Sequence, residues 1–184
     1  IILASGSRPR TIPGFEIDGN QILTSDELLS ITEVPKSVAI IGGGAIGAEF
    51  ASTLNDFGAD VTLIEALPQI LATCDKDLSK TVARSFKKRG INVLAGTKVL
   101  GHSKSGEGIE IKIDSGSVTV EKVVISVGRR PFADLLELGN ADLATDEFGY
   151  VPVDDFCRTG QKGIYAVGDL INSPQLAHVA FAEA

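Results

Sequence analysis

Val38-Ala39-Ile40-Ile41-Gly42-Gly43-Gly44-Ala45-Ile46-Gly47-Ala48-Glu49-Phe50 is the stretch on which the fold turns. Its first four residues are apolar without interruption, the pattern of a strand covered on both faces. A glycine run breaks the strand. Ile46, Phe50, Leu54 and Phe57 then recur near helical spacing, and Gly58 supplies the stop. Val61-Thr62-Leu63-Ile64 reads as a second buried strand that ends at Glu65. Val38 to Glu65 is therefore a strand–turn–helix–strand unit of the length a βαβ crossover needs. The predicted class is α/β, with a Rossmann-like parallel sheet.

On the downstream side, Asp75 or Asp77 can cap a further helix with the apolar stripe Leu78, Val82 and Phe86. Lys87, Lys88 and Arg89 sit where the negative end of its dipole favours them, and Gly90 ends it. Ile91 to Leu94 predicts a third strand. Val99 to Val120 alternates between turns at Ser105-Gly106 and Asp114-Ser115-Gly116, the pattern of an antiparallel meander. Val123 to Val127 is again a buried strand and closes the domain.

Upstream, Thr24-Ser25-Asp26-Glu27 has the form of a capping box ahead of a short helix. Glu33 to Ser37 reads as a polar linker. Ile1 to Ser5 predicts a buried strand running into the turn Ser5-Gly6-Ser7. Beyond Gly128 the texture is loop-rich, with a short edge strand predicted at Tyr150-Val151-Pro152-Val153. A buried strand, Ile164 to Val167, ends at Gly168-Asp169, and a helix is expected over Leu176 to Ala184. The expected division is residues 1–33, 34–128 and 129–184.

Composition narrows the function. The chain has 184 residues, with 17 Lys and Arg against 24 Asp and Glu and a net charge of −7. No stretch concentrates enough cations to neutralise a line of phosphates, so a nucleic-acid partner is not expected. The longest apolar run, Val38 to Ala48, is far short of a membrane span, and no signal peptide is visible. Cys74 and Cys157 form neither a disulfide framework nor a zinc spacing, which suits free thiols in a reducing compartment. Met is absent, and both ends fall inside patterned stretches. The chain is therefore expected to be a piece of a larger protein.

The chemistry concentrates in Gly42-x-Gly44-x-x-Gly47. Alone the pattern is weak. Here it follows a buried strand, opens a helix and precedes an acidic residue about 20 positions on. Gly42 permits the tight turn, Gly44 lets backbone approach a pyrophosphate, and Gly47 lets helix and strand pack closely. The helix start offers N–H groups and a positive dipole end to phosphate. Glu65 can accept both hydroxyls of an adenine ribose and would repel a 2′-phosphate; Ala66-Leu67-Pro68-Gln69 supplies no cation to reverse this. NAD is therefore expected over NADP. Asp169, at a strand end, is read equally as a binder of polyol hydroxyls or as a capping loop residue. Arg129-Arg130 is either a phosphate clamp or a solvated pair. His102 reads as a surface residue and His178 as a packing or capping one. No metal cluster and no nucleophile–base arrangement is evident.

The segments Ile2 to Pro9, Ile40 to Phe50, Ile125 to Pro131, Gly163 to Leu170 and Leu176 to Ala184 occur in an order that resembles the flavin-dependent pyridine nucleotide–disulfide oxidoreductases, and within them the dihydrolipoamide dehydrogenase family. The resemblance covers essentially the whole chain. It implies an NAD domain inserted in an FAD domain. Gly42, Gly43, Gly44, Ala45, Ile46, Gly47, Glu49, Glu65, Val99 and Gly128 would serve the NAD site. Ser5, Gly6 and Ser7 would lie against FAD, Asp169 would hold its ribityl chain, and Gln175, Leu176, Ala177 and His178 would lie near the flavin ring. The implied reaction passes electrons from dihydrolipoamide, carried on a lipoyl domain of a 2-oxo-acid dehydrogenase complex, through a disulfide and FAD to NAD+. A homodimeric parent in the cytoplasm or a reducing organelle is also implied.

The family's first FAD glycine motif and its C-x-x-x-x-C pair are absent from these residues, and so is its C-terminal interface domain. No catalytic residue is assigned, and the chain by itself is expected to be inactive and not to retain FAD. The alternatives are another member of the superfamily, such as an NADH oxidase or a mercuric or glutathione reductase, and a non-catalytic nucleotide-binding module.

Overall fold

The computed structural model describes residues 1–184. They divide into two compact units, Pro9–Gly128 and the pair of segments Ile1–Arg8 and Arg129–Ala184. The chain opens with β1 (Ile2–Leu3) and β2 (Ser7–Pro9). The larger unit runs β3 (Ile22–Leu23), α1 (Ser25–Leu28), β4 (Ser37–Ile41), α2 (Ala45–Asp56), β5 (Asp60–Glu65) and α3 (Lys76–Lys88). It continues through β6 (Asn92–Ala95), β7 (Val99–Ser105), β8 (Gly108–Ile113), β9 (Gly116–Val120) and β10 (Lys122–Ile125). Last come β11 (Arg129–Pro131), β12 (Tyr165–Ala166) and α4 (Ala177–Glu183).

In the larger unit a five-stranded parallel sheet has the order β3-β10-β4-β5-β6. The unbroken apolar runs have a reason: both faces of this sheet are covered, and side chains alternate between them. Val38, Ile40, Val61, Leu63 and Val124 pack with Ala48, Ala51 and Leu54 of α2 and Phe86 of α3. Ala39, Ile41, Ile64, Val123 and Ile125 pack instead with Ile109, Ile111, Ile113 and Val120. The second face is thus closed by the antiparallel meander β7-β8-β9 rather than by helices.

Several local readings change. Ile22–Leu23 pairs in parallel with β10 as an edge strand, and its two residues are too few to show a period in sequence. With Phe15 and Leu28 these residues join the larger unit's core, so the units divide near residue 8 and not at the Glu33–Ser37 linker. On α3, Leu78 is 60% exposed while Ser79 is 2% exposed. At 100° per residue, Leu78 lies about 80° around the helix from Phe86, whereas Ser79 lies on the face of Val82, Ala83 and Phe86. Tyr150–Val153 forms no strand; Val151 alone is fully buried, and its N–H donates to Leu170 O. Ile1 and Ile2 are exposed, and only Leu3 packs on the small unit's core of Val151, Ala166, Leu170 and Ile171. His102 is half-buried, its ring 4.6 Å from that of Phe15.

The capping box at α1 forms in full. Thr24 Oγ1 accepts from Asp26 N–H, and Glu27 Oε2 accepts from Thr24 N–H at 2.7 Å and from the Thr24 hydroxyl at 2.6 Å. The Thr24 hydroxyl bond, against the opposing effect of partial burial, holds the Glu27 carboxyl below its ordinary value. A carboxyl depressed by folding stabilises above its unfolded pKa, about 4.3, and that stabilisation is lost as pH falls through the folded value. Thr24→Ala is expected to cost about 1 kcal/mol in urea unfolding at pH 7. The gap from wild type should narrow on acidification through that range.

The small unit carries two ladders, β1 with β12 in parallel and β2 with β11. No helix is long and apolar enough to cross a membrane.

Candidate functional site

All strands of the parallel sheet end at one edge. In such sheets a crevice opens outside the carboxyl ends where the strand order reverses. Here the chain moves from β4 outward to β5 and β6, then returns to β10 on the other side of β4. The glycine turn lies at that reversal.

Each glycine meets a different constraint. Gly42 has φ of +110°, and its N–H donates to Ile64 O at 2.8 Å. A Cβ there would stand 2.1 Å from Ser126 O at the end of β10. A Cβ on Gly47 would stand 1.9 Å from Gly42 O, so the first turn of α2 sits directly on the glycine turn. A Cβ on Gly43 would meet Ile70 Cγ2 at 2.9 Å and Glu65 Cβ at 3.0 Å. Gly44 is the opposite case. Nothing lies within 4 Å of its Cβ position, and as N-cap of α2 it makes no side-chain cap bond. The helix start is open to the crevice where the backbone is bare.

Glu65 is oriented by backbone. Its Oε2 accepts from Gly43 N–H at 2.6 Å and its Oε1 from Leu67 N–H at 2.8 Å. A carboxylate has about four acceptor sites, so capacity remains for two ligand hydroxyls. The crevice is a cleft of about 610 Å³, within the usual range for small-molecule sites. Gly42, Gly44, Glu65, Val99 and Gly128 line it. Gly43 stands behind Glu65, and Ala45, Ile46, Gly47 and Glu49 are outside the lining, with Glu49 exposed on α2.

The cleft also takes residues that sequence reading missed. Ile12 arrives from the loop before β3, Thr73 from the loop after β5, Thr97 and Lys98 from the turn between β6 and β7, and Ser126 and Val127 from the end of β10. Only the last two carried a signal, as the terminus of a buried strand. Glu65 and Lys98 are the two charged side chains of the lining.

In the small unit, Ser7 Oγ donates to Asp169 Oδ2 at 2.5 Å and accepts from Arg129 Nε at 2.7 Å. Gly6 has φ of +72°, and Ser5 Oγ donates to Phe132 O at 2.6 Å. Arg129 is thus tied to Ser7, while Arg130 pairs with Asp134 at 3.2 Å. Gln175 Nε2 is buried without an acceptor, and Leu176, Ala177 and His178 are exposed at the start of α4. Cys74 and Cys157 are free, and no group of three or more His, Cys, Asp or Glu side chains is placed to hold a metal.

Residues 1–184 match the family described as pyridine nucleotide-disulphide oxidoreductase. The chain is 44% identical, over its whole length, to dihydrolipoyl dehydrogenase of Bacillus subtilis, of which it spans 40%. Among solved structures, the HOCl-induced flavoprotein disulfide reductase RclA of Escherichia coli superposes with a TM-score of 0.93 at 27% identity, covering 99% of this chain and 42% of that one. A water-forming NADH oxidase of Lactobacillus brevis, bound to NADH, gives 0.87 at 26% identity, covering 99% and 44%.

Proposed function

We propose, from the premise that this chain belongs to the pyridine nucleotide-disulphide oxidoreductase family, that it is the nucleotide-binding part of an FAD- and NAD-dependent dihydrolipoyl dehydrogenase. The larger unit is the NAD domain, and the two outer segments belong to an FAD domain. The observation that carries the reading is the pairing of the open Gly44 backbone with a Glu65 carboxylate fixed at the same cleft.

Each residue then has a physical task. The first-turn N–H groups of α2 receive the diphosphate, whose charge the helix dipole favours. Glu65, held by two backbone N–H groups, accepts the 2′- and 3′-hydroxyls of the adenosine ribose. Val99 and Ile12 give the base an apolar wall. On the other unit, Asp169 Oδ2 is committed to Ser7, and its second oxygen would hold a ribityl hydroxyl in a complete FAD domain. When bound, flavin and nicotinamide supply the hydride transfer; the chain's contribution is binding and orientation. Cys74 and Cys157 are both free and match no redox pair, so this reading assigns disulfide chemistry to no residue of these 184. The lipoyl-domain partner, the homodimer and the reducing compartment belong to the same reading.

The test is calorimetric titration of the chain with NADH and NADPH. NADH should bind with a Kd below about 1 mM, and NADPH more weakly. A cleft that takes neither coenzyme would leave a non-catalytic module as the reading.

A further inference from the structure

We infer that Ser79, on the buried face of α3, is a positioning residue for the adenosine side of the cleft. The inference rests on the dinucleotide reading above. Ser79 touches no ligand. It acts through the loop between β5 and α3, which contributes Ala66, Leu67, Ala72 and Thr73 to the cleft wall.

That loop is tied down at each end and in the middle. Leu67 O accepts from Gly96 N–H at 2.8 Å, and Leu67 N–H holds Glu65 Oε1. Leu71 N–H donates to Gly43 O at 2.7 Å, and Leu71 O accepts from Cys74 N–H at 2.8 Å. Gly43 is therefore gripped on both sides, its N–H by Glu65 and its carbonyl by Leu71. Leu71 has φ of +50°, a conformation that a leucine holds only where its surroundings impose it.

The Ser79 hydroxyl supplies that constraint. It donates to Ile70 O at 2.6 Å in a fully buried setting. Ile70 is itself buried, with its Cγ2 against Gly43. A buried helical position is better served by alanine as far as packing and helix propensity are concerned. A serine in a helix ordinarily turns its hydroxyl back on its own backbone. Here the hydroxyl reaches across nine residues to the peptide just ahead of the left-handed leucine. The chain of bonds Ser79–Ile70, Leu71–Gly43, Gly43–Glu65 links α3 to the carboxylate that grips the ribose.

The experiment is Ser79→Ala in the 184-residue chain, read by amide hydrogen exchange without ligand and by titration with NADH and AMP. Exchange at Leu71 and Cys74 should accelerate about tenfold while β4 and β5 stay protected, since only a local opening is made easier. The Kd values for NADH and AMP should rise together, by about fivefold, as expected for one lost buried hydrogen bond. Ser79→Thr, which keeps the hydroxyl, should restore both. If Ser79→Ala does not fold, Ser79→Cys, close in shape and a weak donor, replaces it. Unchanged loop exchange, or unchanged affinities with wild-type NADH binding intact, would overturn the inference. So would a uniform acceleration throughout the unit, which marks general destabilisation. Wild-type chain that binds no NADH would instead overturn the dinucleotide reading, and the positioning role with it.

Discussion

Gly47→Ala is expected to destabilise the larger unit by about 3 kcal/mol or more. Two effects oppose each other. Alanine is the better helix former, worth about 1 kcal/mol over glycine in a helix interior. Against that gain, the new Cβ would stand 1.9 Å from Gly42 O, and the obstacle is backbone. Gly42 cannot retreat, because its own Cβ position is 2.1 Å from Ser126 O and its N–H is bonded to Ile64. Relief therefore requires α2 to lift off β4, which loosens the core that Ala48 and Ala51 share with Val38 and Ile40. The steric loss exceeds the propensity gain. Urea unfolding should show a lower midpoint at unchanged slope. Gly44→Ala separates folding from binding. Its Cβ would meet nothing and Gly44 has φ of −71°, so the cost is that of replacing glycine by alanine, a poorer N-cap, about 1 kcal/mol or less. NADH affinity should nevertheless fall at least about tenfold, because the methyl would stand where the proposed site brings the diphosphate onto backbone. A Gly47→Ala chain as stable as wild type would show that the turn yields more easily than these distances permit.

What could be read in sequence and what could not divide along physical lines. The strands β4, β5 and β10 were legible because burial on two faces leaves their central runs almost wholly apolar, with Thr62 the one polar residue between Val61 and Ile64. The glycine turn was legible because its demands are local: a positive φ at Gly42, a close approach at Gly47 and bare backbone at Gly44 each exclude a side chain. Glu65 was legible as a carboxylate at a strand end, but its fixing by Gly43 and Leu67 was not, since that depends on two turns meeting in space. Lys98 and Ile12 reach the cleft from the β6–β7 turn and from the loop before β3, and no local pattern marks either. Ser79 carries no such mark, because an apolar stripe points to Leu78 where the helix instead buries a hydroxyl. The edge strand β3 shows the same limit from the other side, since two residues acquire their structure only from the β10 ladder beside them.

Glu65→Gln is expected to weaken NADH binding by ten- to a hundredfold, about 1–3 kcal/mol, and to narrow or invert the proposed preference for NADH over NADPH. The first effect follows from donor and acceptor counts. Both oxygens of Glu65 already accept backbone N–H groups. An amide in that place turns two donor hydrogens toward either Gly43 N–H or Leu67 N–H. One backbone donor is then faced by another, and an acceptor for a ribose hydroxyl is lost. The second effect is electrostatic. Once Glu65 is neutral, Lys98 is the only charged side chain left in the lining, so the cleft changes from balanced to positive. A 2′-phosphate is then no longer repelled by a carboxylate and meets a cation across the same cleft. Lys98 is exposed, so its attraction is screened over about 10 Å at 0.1 M salt. The gain in NADPH affinity should therefore shrink as ionic strength rises, while the loss in NADH affinity, which comes from hydrogen bonding, should not. Adding Lys98→Ala to Glu65→Gln should remove the salt-dependent part alone. Titrations of both coenzymes at low and high salt measure all of these quantities. An unchanged NADH-to-NADPH ratio in Glu65→Gln would mean that the ribose lies elsewhere in the cleft, and the assignment of Glu65 would fail.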